Sequence, residues 1–147
     1  MIVDSTLIFS SAQDLTTAAA GGAVVSTNSF DFSQNVDFGP TEGIKVFVEC
    51  PSLPTSATAG ATIAVAVQVS QDDATWETLE AFPAVPIADL TTEQPFLVRA
   101  KVAFSTELYR YMQLTYTPSA VLTSGTVTAG IALDVPARTA YPRNYVA

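Results

Sequence analysis

The stretch "ATIAVAVQVSQ", residues 61–71, decides the fold class. Ile63, Val65, Val67 and Val69 alternate there with Ala64, Ala66 and Gln68. A period of two turns the large aliphatics to one side of a pleated strand, so one face goes to a core and the other stays small and polar. The stretch "ELYRYMQLTYTP", residues 107–118, repeats the pattern. Leu108, Met112, Leu114 and Tyr116 fall on one side with Arg110, and Tyr109, Tyr111, Gln113 and Thr115 on the other. The next run, residues 126–135, is again β-branched and alternating, and is expected to be the antiparallel neighbour of that strand, joined to it through "TPSAVLTSG".

Working outward, strand-like runs occupy residues 2–9, 23–32, 44–50, 75–79 and 96–104, separated by the turn clusters "FGPTEG", "PSLPTSATAG" and "SQDDA". With the three runs above, this makes about eight strands, the number expected of a two-sheet β-sandwich with jelly-roll (Greek-key) topology. The connection over residues 80–95 is long and holds Pro83, Pro86 and Pro95, none of which can donate to a ladder. It is expected to cross between sheets or run along an edge, as a jelly roll requires and a simple meander does not. The one place for a helix is "SAQDLTTAAA", residues 11–20, where Ser11 can cap and Asp14 suits the helix dipole, although Thr16 and Thr17 weaken it and an extended reading stands beside it. No repeat or composition break divides the chain. We expect one sandwich domain over residues 1–135 and an extended C-terminal arm or strap over residues 136–147.

The 147 residues are 48% apolar and only 14% charged, so the expected surface is rich in hydroxyls and small side chains that are easily buried against another protein. Fourteen acids against six bases give a net charge of −8. Such a chain repels phosphate backbones and anionic membranes, and no nucleic-acid or membrane partner is expected. No apolar run approaches the ~20 residues that span a bilayer. The opening "MIVDSTLIFSSAQ" carries Asp4 and no basic segment, which argues against a secretory signal and for synthesis in a cytoplasm.

One cysteine and no histidine exclude an internal disulfide, His-based zinc and haem sites, and nucleophile systems built on His. Cys50 ends "IKVFVEC" on the side of Ile44, Val46 and Val48, and reads as a small buried hydrophobe. Asp72 and Asp73 are the first place to look for a metal. They lack the spaced oxygens of a calcium loop, so a hairpin turn rich in Asp is the stronger reading and metal ligation the weaker alternative. Trp76, the single tryptophan, follows that turn and is a candidate contact for a sugar or a protein partner. Fourteen acids guarantee carboxylate pairs without singling one out, and no Gly-rich phosphate loop occurs. We therefore expect no enzyme, no cofactor and no metal. What remains is the tail "PARTAYPRNYVA", where Arg138, Tyr141, Pro142, Arg143 and Tyr145 combine residue types favoured in interfaces with prolines that discourage regular structure. It reads either as an intermolecular arm or as a strap on its own domain.

Taken in order, "MIVDSTLIFSSAQ", "VQVSQDDATWETL", "RYMQLTYT", "GTVTAGIALD" and the closing "YPRNYVA" resemble the Bbp16-like capsid cement proteins of tailed phages. That resemblance implies a jelly-roll sandwich on the virion exterior. It would bind the outside of an HK97-like shell through the major capsid protein, as a homodimer or homotrimer that bridges capsomers. It supplies no catalytic residues. Composition alone also fits a carbohydrate-binding or receptor-binding sandwich of a phage tail or spike, which stands as the alternative.

Overall fold

A computed structural model describes residues 5–36, 44–102 and 109–132. Ten strands follow in chain order: β1 (Ile8–Asp14), β2 (Val24–Val25), β3 (Phe30–Val36), β4 (Ile44–Thr55), β5 (Thr62–Ser70), β6 (Glu77–Ala81), β7 (Val85–Pro86), β8 (Phe96–Val102), β9 (Tyr109–Pro118) and β10 (Ser124–Ile131). They form two antiparallel sheets, one ordered β1-β10-β4-β8 and one ordered β2-β9-β5-β6, with β3 also on β9 and β7 also on β5. β2 and β3 continue each other along one side of β9, and β7 and β6 along the free side of β5. Ten segments thus fill eight strand positions, four in each layer. Only β2 with β3, and β5 with β6 and β7, follow one another within a sheet. Every other step along the chain changes layer, which is the jelly-roll arrangement.

The core lies where the inner faces meet. Ile63, Val65, Val67 and Val69 of β5 and Met112, Leu114 and Tyr116 of β9 face Val46, Val48 and Cys50 of β4 and Val127 and Ala129 of β10, all of them buried. β5 and β9 pair without a break from Ile63↔Pro118 to Ser70↔Tyr111. This register stacks the large residues of both strands on one side.

Several sequence expectations change in the folded chain. The run after β9 does not pair with it: β10 lies in the other sheet, between β1 and β4, so "TPSAVLTSG" crosses the sandwich rather than closing a hairpin. The expected turn at residues 51–60 begins late, because β4 runs on through Pro51 and Pro54 to Thr55. Two bulges make this possible: from Thr128 to Ser124, β10 pairs successively with Glu49, Ser52 and Thr55, so β4 gains one residue at each step. A bulge leaves a residue outside the ladder, which is where a residue without an N–H can sit. Residues 11–20 form no helix. β1 extends to Asp14, whose carboxylate then accepts from the backbone N–H and hydroxyl of Thr16 at 2.8 and 2.9 Å, while the Leu15 N–H donates to the Gly125 carbonyl. The Asp closes a turn instead of starting a helix. Tyr109, expected to face outward, joins the core where β3 advances five residues against two of β9 between Asp31↔Tyr111 and Val36↔Tyr109. The connection over residues 80–95 does cross between layers, pausing to pair β7 with β5 before reaching β8. Residues 136–147 lie outside the described residues.

One polar chain joins the layers inside the core. The Ser10 hydroxyl of β1 donates to Gln13 Oε1 at 2.7 Å and lies 2.8 Å from the Tyr116 hydroxyl of β9. Ser10 has a single hydroxyl hydrogen, so Tyr116 is the donor in the second contact. Gln13 passes the chain on, donating from Nε2 to the Val25 carbonyl at 2.7 Å and accepting the Thr27 N–H at 3.0 Å. The Tyr116 phenol is held well above its usual range by burial, only partly offset by Ser10. It therefore remains a neutral donor.

Two outcomes follow for stability. Ser10→Ala strands a buried phenol and should cost about 1–3 kcal/mol, whereas Tyr116→Phe leaves Ser10 still bonded to Gln13 and should cost about 1 kcal/mol. In urea denaturation the double variant should be less destabilised than the sum of the two. Gly125 adopts φ +132°, and a Cβ there would meet Pro54 Cα at 2.8 Å, while Gly60, at φ +74°, has open space around it. Gly125→Ala should therefore lower the urea midpoint clearly more than Gly60→Ala, which carries only a left-handed strain of about 1–2 kcal/mol.

Candidate interaction surfaces

The turn after β5 is built by one carboxylate. Asp72 Oδ1 accepts the N–H groups of Thr75 and Ala74 at 2.7 and 3.0 Å and the Ser70 hydroxyl at 2.9 Å, and Oδ2 accepts the Thr75 hydroxyl at 3.1 Å. These donors, the Thr75 N–H foremost, hold the carboxyl far below the usual carboxylate range. Asp73 takes a left-handed φ of 59°, which Asp tolerates in turns. The pair acts here as turn chemistry, with Asp72 spent on the backbone. Among the described residues no group of three or more His, Cys, Asp or Glu side chains is placed to hold a metal ion. Trp76 is half-buried between this turn and β6, outside the core cluster, and next to an open depression of about 290 Å³ lined by Gln71, Asp72, Thr75 and Glu77.

The other sequence candidates separate from it. Cys50 is buried on the inner side of β4, and desolvation, with Glu49 adding to it, pushes its thiol up to about 12. An inert thiol follows. Arg138, Tyr141, Pro142, Arg143 and Tyr145 lie outside the described residues. The last described residue, Ala132, donates its N–H to the Lys45 carbonyl at 3.1 Å.

Two outer faces carry the surface chemistry, and they differ. On the six-stranded sheet the register turns Val25 of β2, Ala64, Ala66 and Gln68 of β5, Tyr111, Gln113, Thr115 and Thr117 of β9, and Thr78 and Ala81 of β6 outward. Gln113 donates to Gln68 Oε1 across the strands at 2.9 Å. Asp31, opposite Tyr111, is held in two bonds by Arg110, Nε to Oδ1 at 2.7 Å and a terminal nitrogen to Oδ2 at 2.8 Å. That guanidinium brings the Asp31 carboxyl down to about 2 and also lies 4.9 Å from the Tyr111 ring centre. Apart from that pair the residues turned outward are uncharged; Ala64, Ala66 and Gln68 are half-buried and Gln113 and Thr115 are buried. Sequence reading missed this face because Asp31 and Arg110 are far apart in the chain.

The outer face of the four-stranded sheet is different. Thr126 and Thr128 of β10 lead to Lys45, Phe47 and Glu49 of β4, and these to Lys101, Arg99 and Phe96 of β8. Lys45 stands directly opposite Lys101 and Phe47 opposite Arg99, whose guanidinium lies 5.1 Å from the Phe96 ring centre. Phe47 is buried over Gly130, where a Cβ would come within 3.0 Å of its ring. Among the described residues no helix is long and apolar enough to cross a membrane.

A comparison with curated proteins returns no match. The family model of Bbp16 spans residues 9–131, from the first core residue of β1 to the last residue of β10, and the chain therefore belongs to the Bbp16 family, a phage-related family.

Proposed function

We propose that the protein is a capsid cement, or decoration, protein: a non-catalytic jelly-roll unit that associates with itself and binds the outside of an HK97-like shell of major capsid protein, bridging neighbouring capsomers. Family membership supplies the phage setting. The observation that carries the reading is the neutral outer face of the six-stranded sheet. A chain of net charge −8 repels its own copies at most of its surface. Where half-buried Ala66 and Gln68 lie beside the buried Gln113 and Thr115 and Asp31 is already matched by Arg110, that repulsion is reduced. Short side chains there lose little rotamer entropy on contact, and no unpaired charge is buried.

The mechanism is additive. A protein that binds the assembled shell but not its separated subunits stabilises the shell by linkage, and many symmetry-related copies reinforce one another through multivalency. The arm at residues 136–147 would add Arg138, Tyr141, Arg143 and Tyr145 to these contacts, in a dimer or a trimer.

Purified protein added to expanded heads should sediment with them and raise their disruption temperature. Saturating protein that does neither would sink the reading. Ala66→Arg, which sets a charge in the middle of the neutral face without touching the core, should shift the free protein toward monomer in sedimentation velocity while its melting temperature stays close to that of the wild type.

A further inference from the structure

We propose that the uncharged end of the sandwich, built by the loops over residues 15–23, 56–61 and 119–123, is the surface that docks on the shell, with Val121 as its apolar anchor and an uncharged protein surface as its partner. The inference rests on the reading of the chain as a shell-binding protein and adds which part of the molecule meets the shell and by what chemistry.

Charge distribution is the first ground. Residues 15–30, 50–71, 81–88 and 111–133 contain no Asp, Glu, Lys or Arg, in a chain of net charge −8. The fold brings these runs together at one end. The three loops cross between the layers there, from β1 to β2, from β4 to β5 and from β9 to β10, and Pro86 of β7 pairs beside them with Thr62. Asp14 and Asp89 border this end, and Asp14 already accepts the N–H and the hydroxyl of Thr16. Val36, Ile44, Val102, Tyr109 and Ala132, which adjoin the segments outside the described residues, lie at the opposite end of their strands.

The end also has the form of a prepared contact. Ser119 donates its N–H to the Thr62 carbonyl and accepts the Thr62 N–H on its hydroxyl, both at 2.9 Å. The Thr123 N–H donates to the Thr55 carbonyl at 2.7 Å and the Gly21 N–H to the Pro118 carbonyl at 2.8 Å. Loops tied in this way lose little freedom on binding. Val121 is 55% exposed, the most exposed large hydrophobic among the described residues, although Ala120 and Leu122 on either side are buried and its carbonyl accepts the Ser56 hydroxyl at 2.8 Å. The turn therefore holds an apolar side chain out in water at a fixed place. Exposed Ala19, Ala20, Ala57 and Ala59 on the neighbouring loops add methyl surface with no rotamer entropy to lose.

The place of this end in an assembly points to the shell as its partner. Copies that meet through the outer face of the six-stranded sheet leave the ends of their strands uncovered. Related by an axis along the strands, they turn the same end toward one surface, where their contacts add. An acidic copy then meets the shell with a part that carries no charge of its own, and burial of Val121 and the methyl groups asks for no charge on the shell.

The experiment compares wild type with Val121→Glu and with Gln71→Glu, which adds the same charge at the opposite end, for sedimentation with expanded heads at low and high salt and for self-association in sedimentation velocity. Melting curves check folding, and Ala57→Glu serves as the second variant should Val121→Glu unfold. We expect Val121→Glu to bind heads at least about tenfold more weakly, Gln71→Glu to bind like the wild type, self-association to be the same in all three, and wild-type binding to hold as salt rises. A folded Val121→Glu protein that binds heads like the wild type overturns the inference while leaving the cement reading intact, and so does wild-type binding that falls steeply with salt. A Val121→Glu protein shifted toward monomer assigns this end to contacts between copies and overturns the inference as well. Wild type that does not sediment with heads overturns the cement reading itself, and the docking end with it.

Discussion

The pairing of β5 with β9 is the constraint on which the rest of the structure depends. From Ile63↔Pro118 to Ser70↔Tyr111 the two strands keep one register without a bulge. Alternation then sends Val65, Val67 and Val69 to the same side as Met112, Leu114 and Tyr116. A one-residue slip would turn every one of these outward, so burial of that face specifies the register. The neutral outer face is the other half of the same fact. Ala66 and Thr115, or Gln68 and Gln113, meet outside because their neighbours meet inside.

The second layer accommodates the first through irregularities. β4 carries two prolines and gains a residue at two steps against β10, and Gly125 gives β10 the room to lie against Pro54. β1 shifts register around Ala12, which has a left-handed φ of 48°. That shift serves the polar chain through Ser10, since the hydroxyl has to point inward to meet Tyr116. The six-stranded sheet keeps the long regular ladder of β5 and β9 and confines its own shifts to β3 and β6 on either side of it.

In the proposed reading, the outer face of the six-stranded sheet is where copies of the protein meet. Like-charged copies can approach where charge is absent or already matched, as at Asp31 and Arg110. The carboxylate that looks most like a ligand, Asp72, is spent on its own turn.

What the sequence by itself determined is the strand content and the identity of the core. The period of two over residues 61–71 and 110–118 marks Val65, Val67, Leu114 and Tyr116 as buried, and a proline-bearing connection too long for a hairpin implies a change of layer. The turn at Asp72 was legible for the same reason, because its bonds are local. Only the tertiary structure decided which strands are neighbours. β10 follows β9 in sequence yet pairs with β1 and β4, and β4 carries its prolines through because bulges against β10 admit them. Both surfaces depend on that decision: Lys45 meets Lys101, and Asp31 meets Arg110, only once distant strands are in register. The physical reason is that alternation is written into each strand by its own side chains, whereas partner and register are set by how both layers together bury their apolar faces.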